Sequence, residues 1–513
     1  MKTTITLLAL CLIGTLSLAQ QAPAIQWQKC LGGTDYDAAN SIQPTPDGGY
    51  IMAGKTNSNN GDVTGNNGGI DAWVVKLSIM GSLQWQKALG GTSGDYANSI
   101  QPTPDGGYIM VGFTGSNDGD VIGYHGGQDA WVVKLSSTGD LQWQKCLGGT
   151  SGDYANSIQP TPDGGYIVAG YTISTNGDVT GNHGGQDAWV VKLSSTGSLQ
   201  WQKTLGGTAV DCAYSIQPTT DGGYVVAGFT QSNNGDVTGI HGGDDAWVVK
   251  LSATGVLVWQ KTLGGTGDDY ANSIQPTTDG GYIMAGYTYS NNGDVTGFHG
   301  GSDFWAVKLS STGSVQWQKA IGGTGTDWAF SLQPTTDGGY IMTGYTSSTD
   351  GDVTGNHGGI YDVWVVKLSS TGSLQWQKAL GGTADEMAYS IQPTPDGGLI
   401  VAGVTVSTDG DVFGNHGGIK DAWVVKLGPE LSTTGFVNEA IVVYPNPAKT
   451  LLTVQNNHQT PFEKIVITDL MGKIVLTQTA PTSQVNVAAL ANGLYILTAF
   501  SGEEQWVSKF VKE

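Results

Sequence analysis

Arginine is absent from this sequence of 513 residues, and all 22 basic residues are lysine. Against 43 acidic residues, this leaves a formal net charge of −21. Phosphate contacts need clustered basic side chains, so nucleic acid is excluded as a partner. The guanidinium fork that usually holds carboxylates and phosphates is also missing. An acidic excess of this kind favours solubility, with calcium binding as the alternative.

Long apolar runs are missing as well, apart from residues 5–18. This run follows Lys2 and ends in Ser17-Leu18-Ala19, a small-x-small cleavage sequence. A membrane-spanning helix needs about 20 apolar residues, which disfavours the alternative of a membrane anchor. We therefore expect a signal peptide over residues 1–19, cleavage after Ala19 and an exported chain that has no transmembrane segment.

Cysteine is scarce, since only Cys30, Cys146 and Cys212 follow the predicted leader. Cys30 and Cys146 occupy the same place after "WQK", where alanine or threonine stands in other copies of that phrase. The place needs a small residue, and cysteine serves as one. Because equivalent positions of a repeat are too far apart for a bridge, we predict three free thiols.

Glycine, in contrast, is abundant at 80 residues, without the Gly-X-Y period of collagen. The chain repeats itself seven times, at intervals of 58 residues and finally 59. The tryptophan of "WQK" stands at 27, 85, 143, 201, 259, 317 and 376. The tryptophan of "DAWVVKL" and its variants stands at 73, 131, 189, 247, 305, 364 and 423. The aspartate of "DGG" stands at 47, 105, 163, 221, 279, 337 and 396.

Each repeat contains four strand-like runs, of which "ANSIQPT", "YIMAGYT", "DAWVVKL" and "SLQWQK" are examples. Their apolar residues alternate, which is the period of a half-buried strand. Glycine-containing turns between the runs are typical of hairpins. The sequence therefore predicts an all-β fold, a seven-bladed β-propeller over residues 24–428.

The repeat pattern is out of phase by one strand. The first "IQWQK" has no preceding hairpin partner, and the last "DAWVVKL", at 421–427, has no following one. Pairing of these two runs would close the ring and leave no open sheet edge. We expect this closure, because an open array of repeats would instead need distinct caps.

Residues that recur in all seven repeats serve structure or binding. The tryptophans favour packing between sheets, with a sugar-stacking platform as the alternative. The aspartate before "AW" is predicted to accept backbone N–H bonds in a turn. The histidine of "HGG" is interpreted as a turn residue; it stands at His125, His183, His241, His299, His357 and His416, with Asn67 in the first repeat.

Two series are candidate binding residues. Loops related to "SNNGDVTG" supply hard oxygens and partly resemble calcium loops, although turns without metal look the same. Their acidic members are Asp62, Asp120, Asp178, Asp236, Asp294, Asp352 and Asp411. The second series pairs an acid with an aromatic residue near a blade rim and predicts a ligand face. Its members are Asp95, Tyr96, Asp153, Tyr154, Asp269, Tyr270, Asp327 and Trp328.

Catalysis is not expected, because a catalytic site needs unlike residues that converge on one point. Most polar residues here have six equivalents, and the exceptions, such as Lys55, Glu386 and Lys420, form no recognisable triad. Phosphate loops and clustered zinc ligands are also missing from the sequence. Calcium is the one cofactor that the sequence suggests.

The repeat stops near residue 430. After a predicted linker over residues 429–437, short alternating runs predict a small β-sandwich over residues 438–513. Within this tail, "YPNP" (444–447), "DLMGK" (469–473), "LANGLYIL" (490–497) and "KFVK" (509–512) occur in order. The motif residues are Tyr444, Pro445, Asn446, Pro447, Gly493, Leu494 and Tyr495.

These motifs resemble the type A C-terminal sorting domain of type IX secretion. The resemblance implies a Gram-negative host of the Bacteroidetes type, passage through the periplasm and recognition of the tail by the secretion machinery. It also implies that the tail is removed and that the cargo is released or attached to surface lipopolysaccharide. The repeats resemble the glycine-rich "DGGYI" repeats of such exported proteins, which indicate no ligand.

Three functions remain open for the exported chain. A binding or adhesion module would recognise an extracellular glycan or protein through its loops, with weak sites multiplied by avidity. A passive structural surface protein would bind nothing specific. A secreted hydrolase would need an asymmetric site at the propeller axis. We favour the binding module, as a monomer located at the outer cell surface or outside the cell.

Overall fold

The structure, a computed structural model, describes residues 22–430, 441–456, 462–469, 473–479, 484–501 and 504–513. The predicted leader and residues 431–437 of the predicted linker lie outside these ranges. Every regular element is a strand, and no helix occurs in the described ranges, so the all-β class is confirmed. The described chain divides into two compact units, one that ends at Glu430 and one that follows it in the sequence.

The first unit contains seven four-stranded antiparallel sheets. The first strands are β2 (Asp37–Pro44), β6 (Asp95–Pro102), β10 (Asp153–Pro160), β14 (Asp211–Pro218), β18 (Asp269–Pro276), β22 (Asp327–Pro334) and β26 (Glu386–Pro393). The second strands are β3 (Tyr50–Thr56), β7 (Tyr108–Thr114), β11 (Tyr166–Thr172), β15 (Tyr224–Thr230), β19 (Tyr282–Thr288), β23 (Tyr340–Thr346) and β27 (Leu399–Thr405).

The third strands carry the "DAWVVKL" phrase and the fourth strands carry "WQK". The third strands are β4 (Asp71–Leu77), β8 (Asp129–Leu135), β12 (Asp187–Leu193), β16 (Asp245–Leu251), β20 (Asp303–Leu309), β24 (Asp362–Leu368) and β28 (Asp421–Leu427). The fourth strands are β5 (Leu83–Leu89), β9 (Leu141–Leu147), β13 (Leu199–Leu205), β17 (Leu257–Leu263), β21 (Val315–Ile321), β25 (Leu374–Leu380) and, from the start of the described chain, β1 (Ile25–Leu31).

Strand β1 belongs to the last sheet. It pairs antiparallel with β28, with Leu31 opposite Ala422. The Trp423 indole N–H donates to Gln28 Oε1 at 2.8 Å, the same bond that other repeats form within one continuous stretch of chain. This sheet therefore combines residues from both ends of the repeat region.

The third strands are buried on both faces, which corrects the half-buried interpretation. Trp73 packs with Ile400 of the last sheet, whereas Val74 packs with Trp131 of the second sheet. With both faces of the strand covered, even the lysine of "DAWVVKL" is buried. Lys76 Nζ contacts Asp47 Oδ2 at 2.8 Å, and the same pairing recurs in the other repeats.

The tryptophans of the fourth strands are only half-buried, except Trp376. Trp85 lies over Gly139 in a hairpin of the next sheet, where a Cβ atom would come within 2.8 Å of the indole ring. At the last position the hairpin is missing, and the Trp376 indole N–H donates to Glu430 Oε1 at 3.1 Å instead. Both tryptophan series thus contribute to contacts between sheets.

The second unit has the two sheets of the predicted sandwich. Its strands are β29 (Ile441–Tyr444), β30 (Leu451–Asn456), β31 (Lys464–Thr468), β32 (Ile474–Thr479), β33 (Gln484–Asn486), β34 (Gly493–Ser501) and β35 (Glu504–Lys512). One sheet has the order β29-β30-β33 and the other β32-β31-β34-β35. Side chains from both sheets form one core, which includes Leu452, Val485, Ile467 and Phe510.

Candidate functional site

A central cavity of about 230 Å³ is lined by the first strands of all seven sheets. Each strand contributes a serine, a glutamine and one further residue. The serines are Ser41, Ser99, Ser157, Ser215, Ser273, Ser331 and Ser390. The glutamines are Gln43, Gln101, Gln159, Gln217, Gln275, Gln333 and Gln392. The further residues are Asn40, Asn98, Asn156, Tyr214, Asn272, Phe330 and Tyr389.

The seven serines and the four asparagines join neighbouring sheets. The Ile100 backbone N–H donates to Ser41 Oγ at 3.3 Å, and Asn98 Nδ2 donates to the Ala155 carbonyl at 3.0 Å. The glutamine amides differ, because none of the seven forms a hydrogen bond with another described group. An amide offers two donors and an acceptor, so this ring of glutamines supplies free hydrogen-bonding capacity inside the cavity.

Aromatic side chains lie in two runs at the mouth of the cavity, where the first strands begin. Four rings are in contact across the second and third sheets: Tyr96, Phe113, Tyr154 and Tyr171. Ten more are in contact from the fourth sheet to the seventh: Tyr214, Phe229, Tyr270, Tyr287, Tyr289, Trp328, Phe330, Tyr345, Tyr361 and Tyr389. We call these fourteen residues the aromatic belt.

The belt is continuous with the cavity, because Tyr214, Phe330 and Tyr389 belong to both. Its ring planes are partly stacked; Tyr287 and Trp328 lie 4.4 Å apart at an interplanar angle of 10°. Most belt residues are half-buried, and Tyr289 is 41% exposed. The belt therefore presents aromatic surface to a molecule at the mouth.

The four predicted acid–aromatic pairs divide into two roles. Tyr96, Tyr154, Tyr270 and Trp328 all belong to the belt. Their acidic neighbours are fully buried: Asp95, Asp153, Asp269 and Asp327. These carboxylates bond inward, so any direct contact with a ligand falls to the aromatic members.

Asp95 illustrates the inward bonding. Its carboxylate accepts hydrogen bonds from the Thr114 hydroxyl, from Ser116 Oγ at 2.7 Å and from the Gly91 N–H at 2.8 Å. Burial raises the pKa of Asp95, and the three hydrogen bonds oppose that rise. The carboxylate thus fixes the loop that carries the next residue, Tyr96.

The loop aspartates of the calcium hypothesis also bond to the backbone. Asp62 Oδ2 accepts the Gly32 N–H at 3.3 Å, and Asn60 Oδ1 accepts the Thr34 N–H at 2.9 Å. Equivalent bonds to the aspartate recur in the other six repeats. Across the described ranges, no three His, Cys, Asp or Glu side chains are grouped to hold a metal ion. These contacts favour hydrogen-bonded turns, and calcium binding stays a prediction.

The histidines lie beside the aspartates that precede "AW". His125 Nδ1 lies 2.8 Å from Asp129 Oδ2, which also accepts the His125 backbone N–H at 2.8 Å. Burial raises the pKa of Asp129, and the bonds from His125 oppose this rise. In the first repeat Asn67 replaces the histidine beside Asp71. Burial raises the pKa of Asp71 to about 7.

Sequence reasoning missed the central cavity and the second-strand half of the belt. A readable signal existed for part of it, since "ANS" changes to "AYS", "AFS" and "AYS" at Tyr214, Phe330 and Tyr389. The partners Phe113 and Tyr171 stand in "GFT" and "GYT", where they resemble ordinary strand residues. Only the pairing of first and second strands places them beside the rim residues.

The sorting motifs converge on the last strand of the second unit. Asn446 Oδ1 accepts the Val511 N–H at 2.8 Å, which joins "YPNP" to "KFVK". Tyr495 is buried, stacks on Phe510 with ring centroids 5.7 Å apart and donates its hydroxyl to the Ala491 carbonyl at 2.9 Å. Residues 470–472 of "DLMGK" lie outside the described ranges.

Residues 442–513 match the secretion system C-terminal sorting domain, which confirms the resemblance. This domain directs the chain to the cell surface or the extracellular space through the type IX machinery. No curated protein matches the chain. None of the described segments is a helix that is long and apolar enough to cross a membrane.

Solved structures resemble the chain at low identity. The WD40 domain of Pan2 from Neurospora crassa is 10% identical over 79% of this chain and 96% of its own, with a TM-score of 0.44. PorZ, described as a surface component of the type IX secretion system of Porphyromonas gingivalis, is 11% identical over 91% of this chain and 69% of its own, with a TM-score of 0.29.

Proposed function

We propose that this exported chain is a glycan-binding module, a closed seven-bladed propeller whose ligand enters the central cavity through the aromatic belt. Closure is supported by the β1–β28 pairing and by contacts between the first and last sheets. The Ile42 N–H donates to Ser390 Oγ at 3.2 Å, and Met52 shares a core cluster with Ile400. A closed ring holds the seven first strands around one axis and keeps the cavity mouth rigid.

The observation that carries the proposal is the belt around a polar, uncharged cavity. A sugar ring has an apolar face of C–H groups and an edge of hydroxyl groups. Aromatic rings such as Trp328 and Tyr287 match the face, and amides such as Gln333 match the edge. Lining by aromatic groups with a few free polar groups is typical of ligand sites.

We propose that the cavity binds a glycan without cleaving it. The described residues that line the cavity are serine, glutamine, asparagine, tyrosine and phenylalanine, and they include no carboxylate or imidazole. Glycoside hydrolysis generally needs a pair of carboxylates beside the bond that breaks. Asp95 and Asp327, which precede the belt residues Tyr96 and Trp328 in the chain, are buried and hydrogen-bonded. Asp244, which is not buried, accepts hydrogen bonds from the hydroxyl of the belt residue Tyr270 and from Gln231 Nε2.

A glycan screen on the purified protein, followed by calorimetric titration of the best oligosaccharide, tests the proposal. Trp328→Ala is expected to weaken binding about tenfold or more, because an aromatic contact contributes on the scale of 1 kcal/mol beyond its buried area. Phe413→Ala is the matched control, since this ring is 66% exposed and lies outside the belt.

A passive structural role predicts a different result. In that case no glycan binds, or Trp328→Ala and Phe413→Ala weaken binding equally. Folding of both variants is checked by their thermal melting curves, because Trp328 also contacts Phe330 and Tyr345. Release of free sugar during the titration would show catalysis and contradict the proposed role.

A further inference from the structure

Two lysines lie at the mouth of the cavity, where the first and last sheets meet. Lys55 Nζ lies 4.8 Å from the centroid of the Tyr36 ring and 5.2 Å from that of Tyr96. Lys420 Nζ lies 5.9 Å from the Tyr36 centroid. Two cations from opposite ends of the repeat region thus share one aromatic ring.

Neither lysine recurs at the equivalent position of another repeat. Lys55 is replaced in the other repeats by Phe113, Tyr171, Phe229, Tyr287, Tyr345 and Val404. Lys420 is replaced by Ile70, Gln128, Gln186, Asp244, Ser302 and Tyr361. The pair therefore stands between two ends of the aromatic belt, Tyr389 and Tyr96, and it has no equivalent in the other repeats.

The local fold brings the two lysines together. Ala38, the small residue opposite Lys55 in the β2–β3 pairing, replaces the aromatic ring that stands there as Tyr96 in the second repeat. Tyr36 forms a bridge with Lys420, and the Asp37 N–H donates to the Lys420 carbonyl at 2.7 Å. We name Tyr36, Lys55, Tyr96 and Lys420 the lysine sector.

The charges of the lysine sector are not neutralised by the protein. Lysines of the third strands, such as Lys76, contact an aspartate in every repeat. No described carboxylate lies within 4.0 Å of Lys55 or Lys420, and neither ammonium group donates a hydrogen bond to a described group. Burial and the neighbouring Lys420 lower the pKa of Lys55, as expected for two cations that lack a counterion.

The equivalent places on the other side of the ring are acidic. Asp244 stands in the place of Lys420, and Asp268 stands in the place of Tyr36. They lie close together, since the Asp244 N–H donates to Asp268 Oδ1 at 3.1 Å. Asp385 stands in the place of Tyr36 in the seventh repeat, where it accepts the Ile360 N–H at 2.7 Å. The Asp244–Asp268 pair repels an anion that enters the mouth, whereas the two lysines attract it.

We propose that the lysine sector binds the carboxylate of an acidic sugar, so that the preferred ligand is a uronic-acid glycan. This inference rests on the proposed glycan-binding function and specifies its ligand. The carboxylate lies between the two ammonium groups, and the sugar ring stacks on Tyr36 or Tyr96. Neutral residues of the same chain contact the rest of the belt.

The test compares an oligogalacturonate with a neutral galactose oligomer of the same length, by calorimetric titration of the full-length protein. The variant combines Lys55→Phe and Lys420→Gln. These substitutions introduce the residue types that stand at the equivalent positions of the second repeat, Phe113 and Gln128. The matched control is Lys145→Gln, an exposed lysine of β9 that lies outside the mouth. Wild type should bind the acidic oligomer at least about tenfold more tightly than the neutral one, since charge-assisted hydrogen bonds contribute on that scale.

In the double variant this preference should fall to about twofold or less, and its melting curve checks that the variant is folded. The preference in wild type should also weaken between low and high salt. The inference is overturned if the double variant keeps the preference, if wild type lacks it, or if a sulfated neutral oligomer binds more tightly than the uronate. Binding of the neutral oligomer without acid preference leaves the glycan-binding proposal intact, whereas binding of neither contradicts both.

Discussion

Replacement of Asp71 by asparagine should make the protein less sensitive to pH between 5 and 8. Asp71 is fully buried; its Oδ2 accepts the Asn67 N–H at 2.9 Å, and its Oδ1 has no described partner. Burial raises its pKa from 3.8 to about 7, and the charges of Asp95 and Asp120 contribute to the rise. The folded chain therefore keeps a proton that the unfolded chain releases above about pH 4.

The sign follows from this difference in proton binding. The proton on Asp71 stabilises the folded chain fully below the unfolded pKa of 3.8. This stabilisation is lost as the pH rises through the folded pKa of about 7. One pKa unit corresponds to about 1.4 kcal/mol, so the full loss is about 4 kcal/mol, of which about 3 kcal/mol falls between pH 5 and 8. Asp71→Asn removes this carboxyl and should reduce the fall in the free energy of unfolding by that amount.

Urea denaturation at pH 5, 6, 7 and 8 measures the effect. Asp129→Asn is the matched control, because His125 Nδ1 lies 2.8 Å from the Asp129 carboxylate. That substitution removes a favourable contact together with the buried acid, so it should stabilise the protein less at pH 8 than Asp71→Asn does. Equal pH dependence of wild type and Asp71→Asn would refute the reasoning.

Three further predictions concern the repeats. In urea denaturation, Gly139→Ala should destabilise the protein by about 1–3 kcal/mol more than Gly106→Ala. Both glycines have φ near +80°, but only a Cβ atom at residue 139 would clash with Trp85. Equal losses of stability would contradict this packing. Partial burial raises the pKa of Asp47, but hydrogen bonds from Lys76, Thr45 and Gly49 outweigh it and lower the pKa to about 2. The Asp47 carboxylate therefore stabilises the folded chain above pH 4, and this stabilisation is lost toward pH 2. Thermal melting of Asp47→Asn should therefore change less over that range than melting of wild type, and an unchanged slope would argue against the ion pair. Burial raises the pKa of the Cys30, Cys146 and Cys212 thiols to about 12, so iodoacetamide at pH 8 should modify them only after denaturation, as mass spectrometry would show.

The four-stranded repeat could be predicted because strand and turn signals recur together. A single "DAWVVKL" would be ambiguous, but seven copies between glycine turns define its length and its hairpin partner. Burial of Lys76 could not be predicted, since a lysine in an alternating strand indicates a solvent-facing side. Its enclosure depends on Asp47, 29 residues earlier, and on the sheets that cover both faces.

The candidate site was predictable to a smaller extent. Tyr96 and Trp328 stand out because their place varies between repeats, and variation within a constant frame indicates a surface. Burial of Asp95 could not be predicted, because an acid that recurs beside an aromatic residue in several repeats resembles a pair of ligand-binding residues. Lys55 and Lys420 are too far apart in the chain for any local pattern to join them.

The pairing of β1 with β28 has a consequence for the order of folding and export. The bonding partners Gln28 and Trp423 are 395 residues apart, so the last sheet cannot form until nearly the whole repeat region has been synthesised. Contacts of such long range form slowly, because a large loop must be closed first. The sorting domain follows β28 in the chain, so every product long enough to carry it also carries the strand that β1 requires. A chain that ends before β28 lacks both, and one that ends between β28 and the sorting domain lacks the signal alone. The secretion signal therefore accompanies only molecules that can complete their last sheet.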